Sequence, residues 1–148
     1  MIFNSTIKFP KPSQLVFGLS LTLALSGISA PMRAATSLAE DQHITHSLMS
    51  AAVGDVIRKN CPSISARIFV AFSKVKELER YALGLGFSKA EIDAFISSKS
   101  ERKRIRQATE DYLQKNGVVE GKKETYCSLG RAEIADGSLI GQLLWSWK

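Results

Sequence analysis

The apolar residues of this chain recur every three or four positions over long stretches, a spacing typical of helices that bury one face. Residues 40–60 carry apolar side chains at every fourth position, which predicts a first helix: Ile44, Leu48, Ala52 and Val56. Asn60-Cys61-Pro62 ends this helix, because a residue before proline disfavours helical angles. Proline suits the first position of a helix, so a second helix is predicted to begin at Pro62.

The second predicted helix carries the strongest periodic signal in the chain. Most of its charged side chains fall off its apolar face, whose members lie three or four residues apart: Ile64, Ile68, Phe72, Val75, Leu78, Ala82 and Leu85. Gly84 and Gly86 end the pattern. It therefore predicts a long amphipathic helix.

The third predicted helix has two start signals. Ser88 and Glu91 have the spacing of a capping box, and Phe87 and Ile92 have the spacing of a hydrophobic staple. The short helix that follows is predicted to bury three apolar side chains: Ile92, Phe95 and Ile96.

The rest of the chain also has helical spacing. A second capping box, Ser98 with Glu101, opens a fourth helix or continues the third with a bend, and Gly117 suits the position after its end. Its apolar stripe is narrow: Ile105, Ala108, Tyr112 and Leu113. A last helix is predicted from about Thr125, with a potential interruption at residues 136–138. No strand-like alternation stands out, so we predict an all-α fold, a compact bundle of about five helices.

Three glycines leave one face of the last predicted helix almost without side chains: Gly130, Gly137 and Gly141. Glycine in a helix interior costs up to about 1 kcal/mol, so a packing reason is expected. We expect another backbone to approach this face closely, with Gly54 or the turn at Cys61 as candidates. A groove for a partner helix is the alternative.

Cys61 and Cys127 are the only cysteines, 66 residues apart, and they predict one structural disulfide. Closing a loop of this length constrains the unfolded chain by roughly 4 kcal/mol in the loop-entropy model. The alternative interpretation is that the two cysteines are a redox-active pair. Enzymes of that type usually hold their cysteines in a Cys-x-x-Cys motif, which is absent here.

The N-terminus indicates the compartment. Lys8 and Lys11 precede an uncharged apolar run over residues 15–30, which is short for a membrane span and fits a signal peptide. We predict a signal peptide over residues 1–36, cleaved within 34–39, and one helical domain over residues 40–148. A retained N-terminal anchor is the alternative. The predicted location is the periplasm.

Export lowers the positive charge of the chain. The whole sequence has a formal net charge of +6, and removal of Lys8, Lys11 and Arg33 with the signal leaves +3. A weakly basic domain outside the cytoplasm gives no case for a nucleic-acid partner. A protein partner is predicted, and a membrane surface is the second possibility.

Candidate catalytic and metal-binding residues are few. His43 and His46 lie one turn apart and could bind a metal with Glu40 or Asp41, but no further histidine or cysteine completes the set. No histidine is placed to act as a base for a serine, and no Gly-x-Ser-x-Gly motif or phosphate-binding loop is present. We predict no metal, no cofactor and no enzymatic activity.

Two stretches are candidates for partner contact. Arg102, Lys103 and Arg106 belong to the densest basic run, for which a solvated helix face is the alternative. Trp145 and Trp147 are two residues apart and cannot share a helical face, so one neighbour is not expected to bury both. Tryptophan favours protein interfaces and membrane surfaces, and core packing and partner contact are equally open here.

Three motifs carry a resemblance to a known family: Arg-Lys-Asn-Cys-Pro-Ser-Ile-Ser-Ala-Arg at 58–67, Gly-Phe-Ser-Lys-Ala-Glu-Ile at 86–92 and Tyr-Cys-Ser-Leu-Gly-Arg-Ala-Glu-Ile at 126–134. In these motifs the chain resembles domain-of-unknown-function family fifty-three thirty-three, small exported bacterial proteins with two cysteines. The resemblance implies export and a shared cysteine framework, and it supplies no activity and no catalytic residues. We expect a periplasmic binding or accessory protein, associated with a membrane protein complex. The alternative is a peripheral protein that binds anionic lipid at a membrane surface.

Overall fold

The first helix, α1 (Gln42–Asn60), is the central element of the computed structural model, which describes residues 37–147. It packs against most of the other elements. The side chain of Asp41 caps it by accepting a hydrogen bond from the amide of Ile44 at 2.9 Å. The predicted first helix is therefore confirmed. The predicted signal peptide lies outside the described residues.

The chain after Cys61 forms a strand before it forms a helix. β1 (Ile64–Ala66) pairs antiparallel with β2 (Leu144–Ser146), with Ser65 opposite Trp145. The prediction of a helix beginning at Pro62 is therefore wrong, and α2 runs over Ile68–Gly84. Periodicity within one segment does not show a strand whose partner lies far away in the sequence.

Four more helices complete the described part of the chain: α3 (Lys89–Ser97), α4 (Lys99–Lys115), α5 (Lys123–Asp136) and α6 (Leu139–Gln142). The predicted interruption of the last helix is confirmed at Gly137, whose φ of +64° ends α5. The all-α prediction is also confirmed. Residues 37–147 contain six helices, where about five were predicted, together with the small two-stranded sheet.

The core consists of two clusters of buried side chains. The larger one surrounds the disulfide and joins α1, β1 and β2 to α4, α5 and α6: Val53, Ile57, Cys61, Ile64, Leu113, Tyr126, Cys127, Leu129, Ile140 and Leu144. The smaller one joins α1, α2 and α3: Leu38, Ile44, Ala82 and Ile92. Ile96 was predicted to be buried, but its side chain is exposed on α3.

A disulfide joins Cys61 and Cys127, as the sequence predicts. Cys61 follows the last residue of α1, and Cys127 lies in α5. Both cysteines are buried. The bond therefore ties the C-terminal end of α1 to α5 inside the larger cluster.

The glycine-rich face of the predicted last helix permits close packing. A Cβ atom on Gly130 would lie 2.5 Å from Cδ1 of Ile64 and 2.6 Å from Cγ2 of Ile57. A Cβ atom on Gly141 would lie 1.9 Å from the carbonyl oxygen of Glu133. Close packing is thus found at two of the three glycines, but the nearest atoms do not belong to Gly54 or Cys61, and nothing lies within 4 Å of a Cβ atom on Gly137. Gly130 faces side chains of α1 and β1, whereas Gly141 brings α6 against the backbone of α5.

The capping box at the start of α3 gives a first stability prediction. The amide of Ser88 donates to the Glu91 carboxylate at 2.7 Å, and the amide of Glu91 donates to the Ser88 hydroxyl at 3.3 Å. Ser88→Ala removes one of these caps and should lower the free energy of unfolding by ~1 kcal/mol, measured by denaturant titration. Ser73→Ala on the exposed surface of α2 is the matched control and should leave the protein as stable as wild type or slightly more stable. Equal midpoints for Ser88→Ala and wild type would contradict the prediction.

Candidate interaction surfaces

The first half of α2 turns its large apolar side chains to solvent. Ile68 is 68% exposed, Phe69 91%, Phe72 64% and Val75 60%, and these four residues are the α2 apolar face. An amphipathic helix normally directs such a face to the core. Here α2 reaches the core only through its second half, where Ala82 is buried and Leu78 is partly buried.

The backbone holds the start of α2 in place although its side chains are exposed. The amide of Arg67 donates to the carbonyl oxygen of Leu143 at 2.8 Å, beside the paired strands. Ion pairs of 3.0 Å between Lys74 and Glu77 and between Lys76 and Glu79 follow on the helix surface. The α2 apolar face is therefore presented on an ordered helix that is fixed at both ends.

Trp145 and Trp147 form a second exposed apolar feature, the tryptophan pair. Their ring centroids are 4.8 Å apart, and the side chains are 46% and 44% exposed. The prediction that the two rings cannot share a face is wrong because Trp145 lies on a strand, where residues i and i+2 point to the same side. Buried Leu144 lies on the opposite side of the strand, so the pair points away from the core.

A groove of about 940 Å³ runs along the contact between α1 and α4, and we call it the α1–α4 groove. The two helices start side by side, since the guanidinium group of Arg104 donates to the Thr45 hydroxyl at 3.3 Å. Arg102 and Arg106 line the rim of the groove, but Lys103 does not. The structure therefore places two of the three predicted basic contact residues together at one site and leaves Lys103 exposed elsewhere.

A buried polar cluster joins α4, α5 and α6 beside the larger core cluster. The Tyr112 hydroxyl and the Ser138 hydroxyl both donate to the carboxylate of Glu133, which is itself buried. Burial, reinforced by the hydrogen bond to this carboxylate, raises the pKa of Tyr112 to about 12. The three side chains satisfy one another, so the cluster acts as a structural link between the helices.

The raised pKa of Tyr112 predicts a pH dependence of stability. An unfolded tyrosine titrates near pH 10, so the folded state binds the proton more tightly. This contribution to stability should be complete below pH 10 and should be lost as the pH rises towards 12. Denaturant titrations of wild type and Tyr112→Phe across this range should show a steeper loss for wild type. Parallel curves for wild type and Tyr112→Phe would refute the prediction.

Comparison with known proteins identifies the family. A family model described as Family of unknown function (DUF5333) matches residues 36–145. The chain belongs to DUF5333. No curated protein and no solved structure gives a significant match. The resemblance seen in the sequence is therefore confirmed at the level of the family. The two cysteines of this DUF5333 protein are joined in a disulfide.

Other candidate chemistry in this DUF5333 protein is sparse. Residues 37–147 contain no group of three or more His, Cys, Asp or Glu side chains arranged to hold a metal ion. The ring of His43 packs edge-on against Tyr81, with centroids 4.6 Å apart. None of the helices in the same range is long and apolar enough to cross a membrane.

Sequence reasoning predicted an apolar face on this helix of the DUF5333 protein but did not show that the face is exposed. A signal for it exists in Ile68-Phe69-Val70-Ala71-Phe72, where five consecutive residues are apolar. Five consecutive residues surround the whole helix, whereas a core-facing stripe covers only one side. Some of these side chains therefore had to be exposed or bound by a partner.

Proposed function

We propose that this protein is an exported, periplasmic binding or accessory protein that docks on a protein partner through the α2 apolar face. One observation carries the proposal: four large apolar side chains are exposed together on consecutive turns of an ordered helix. Monomeric proteins rarely expose contiguous apolar patches of this kind unless a partner covers them.

The proposed partner surface is an apolar groove. Ile68, Phe72 and Val75 have the i, i+4, i+7 spacing of helices that bind in such grooves, and Phe69 widens the face. Full burial of one large apolar side chain contributes about 1.5–3 kcal/mol. Several anchors of this size offset the entropy lost on association and support a specific complex.

The proposed location is supported by two sequence features. Residues 15–30 have the length and composition of the apolar part of a signal peptide, and Cys61 and Cys127 form a disulfide of the kind that persists in oxidising compartments. Association with a membrane protein complex is part of the proposal. In that setting the partner groove belongs to a subunit exposed to the periplasm.

A second candidate function is binding to an anionic membrane surface, and the tryptophan pair favours it. Tryptophan rings that are half exposed suit the boundary between lipid and water. Arg67, directly before the α2 apolar face, would add attraction to anionic headgroups. In this reading the α2 apolar face and the tryptophan pair insert into lipid, and no protein groove is involved.

Site-specific photo-crosslinking in intact cells distinguishes the two candidates. A photo-reactive residue at position 69 should form one discrete protein adduct, and Phe72→Ser in the same chain should weaken binding by about 2 kcal/mol, or roughly thirtyfold. Leu83→Ser is the matched control, because Leu83 is also exposed on α2 but lies outside the face. It should leave the adduct intact.

The opposite results would assign the second function. Lipid adducts at position 69, together with salt-sensitive sedimentation on vesicles containing anionic phospholipid that Trp145→Ala abolishes, would show membrane binding. Identical protein adducts with and without Phe72→Ser would show that the α2 apolar face is not the docking surface. Phe72 is exposed, so its substitution should leave the melting temperature close to that of wild type.

A further inference from the structure

The α1–α4 groove has an apolar floor made by two helices that start side by side. α1 contributes one stripe at four-residue spacing, and α4 contributes a second at the same spacing: Leu48, Ala52 and Val56, then Ile105, Thr109 and Leu113. The Thr109 hydroxyl donates to the carbonyl oxygen of Ile105 at 2.8 Å, so it presents no unsatisfied donor to the floor. The floor can therefore take an apolar side chain without a cost for buried polar groups.

The charge on the groove rim changes sign along its length. Arg102 and Arg106 lie one helical turn apart at the end of the groove where α4 begins. Glu110, Asp111 and Glu120 stand over the other end. Within residues 37–147 none of these five side chains forms an ion pair. The two other carboxylates that line the groove, Asp55 and Glu101, are each paired with a basic residue of their own helix. The free charges are thus divided into a basic end and an acidic end.

We propose that the α1–α4 groove is a second docking site that binds an amphipathic helix of a protein partner. The carboxylates of this helix lie against Arg102 and Arg106, and its basic side chains lie against Glu110, Asp111 and Glu120. The apolar side chains of the bound helix fill the floor between α1 and α4. The site is independent of the α2 apolar face, because it shares no residue with that face.

The shape and charge of the groove favour a helix over a small amphiphile. The groove follows α4 from Arg102 to Gln114, which is about 18 Å at the rise of an α-helix and accommodates about three turns. A fatty acid or a single headgroup would use the basic end only and would leave three carboxylates over its apolar tail. A helix with charges of both signs can match both ends.

The floor and the rim have different roles in this interaction. Rim pairs remain in contact with water, so each contributes little to the affinity, while the apolar floor supplies most of it. The charged rim determines the orientation of the bound helix and raises the association rate at low salt. A test of the proposal therefore has to vary the order of charges while the apolar face is kept constant.

Two synthetic peptides of identical composition provide that test. Both are fourteen-residue helices with the same leucine stripe. The divided peptide carries its glutamates in one half and its lysines in the other. The alternating peptide carries the same glutamates and lysines in alternation along its length. Fluorescence anisotropy at low salt should show the divided peptide binding the full domain about tenfold more tightly than the alternating one. High salt should reduce the difference, and amide shifts in NMR spectra should map to the groove.

Charge-reversal variants test the assignment of the rim. Arg102→Glu/Arg106→Glu should abolish the preference for the divided peptide. Lys99→Glu/Lys103→Glu makes the same charge change on exposed positions of α4 outside the groove and should retain the preference. Phe72→Ser on the α2 apolar face should change nothing, so failure of this proposal and failure of the proposed function are distinguishable.

Several results would overturn the proposal. Equal affinity for the two peptides, no binding of either, or amide shifts that map to α2 would each show that the groove does not select a helix by charge order. Self-association that Arg102→Glu/Arg106→Glu abolishes would show that a second copy of this chain occupies the groove. Retention of the wild-type melting temperature by both charge variants ensures that these outcomes report binding.

Discussion

Cys61→Ala/Cys127→Ala is expected to lower the free energy of unfolding by about 4 kcal/mol, because the unfolded chain regains the entropy that the disulfide removes. The bond closes a loop across 66 residues and lies inside the larger core cluster, so its loss also loosens packing between α1 and α5. For one small domain this is a large part of the total stability. Denaturant titration of the variant and of wild type provides the measurement.

The single variants are the control for this prediction. Cys61→Ala and Cys127→Ala each break the same bond, so each should lose most of what the double variant loses. Reduction of the wild-type protein should lower its melting temperature in the same way. Thiol trapping of the native protein that labels either cysteine, or a reduced protein as stable as the oxidised one, would show that the disulfide does not provide this stability.

Gly141→Ala is expected to destabilise the domain by roughly 3 kcal/mol, because the added methyl group meets backbone that cannot rotate away. The new Cβ atom would lie 1.9 Å from the carbonyl oxygen of Glu133 and 2.4 Å from its carbonyl carbon. α6 would have to move away from α5, which would also disturb the hydrogen bond between Ser138 and Glu133. Chemical denaturation measures the loss.

Gly84→Ala is the matched control for this substitution. Nothing lies within 4 Å of a Cβ atom placed on Gly84, the last residue of α2. Alanine favours the helix and reduces the freedom of the unfolded chain, so this variant should be as stable as wild type or slightly more stable. Equal losses of stability in the two variants would mean that replacing a glycine by alanine is itself destabilising here. The contact between α6 and α5 would then be unimportant.

Features that depend on neighbouring residues could be predicted from the sequence. Asn60-Cys61-Pro62 marks the end of α1, and the Ser88 capping box forms with both of its hydrogen bonds. Phe87 also packs against the smaller cluster, which contains Ile92, as a staple would. Each of these signals lies within a few residues, where backbone geometry alone decides which side chains meet. The disulfide was predictable for another reason, since only one pairing of two cysteines exists.

Features that depend on distant residues could not be predicted in this way. Ile64-Ser65-Ala66 fits the start of a helical pattern as well as it fits a strand, and only its partner at Leu144–Ser146 decides between them. The error at Trp145 and Trp147 follows from the same cause. Spacing determines which side chains share a face only when the type of element is known, and the sequence pattern predicts a helix for this segment.

The candidate sites show a similar division. The sequence identified Arg102 and Arg106, but it could not show that they stand over a groove, because the floor comes from both α1 and α4. Periodicity in α2 correctly predicted an amphipathic helix with an apolar face. It could not show what covers that face, because coverage depends on where neighbouring helices lie.

The pairing of β1 with β2 has a consequence for how the chain reaches its folded state. The amide of Trp147 donates to the carbonyl oxygen of Ser63, and that of Arg67 donates to Leu143, so both ends of β1 depend on residues made much later. During folding, α1 can form early from local contacts, whereas β1 must wait for the segment around residues 143–147. Contacts of such long range slow folding and leave an unpaired strand edge exposed in the interval. A nascent chain stopped at residue 142 would therefore be a natural target for chaperones and proteases.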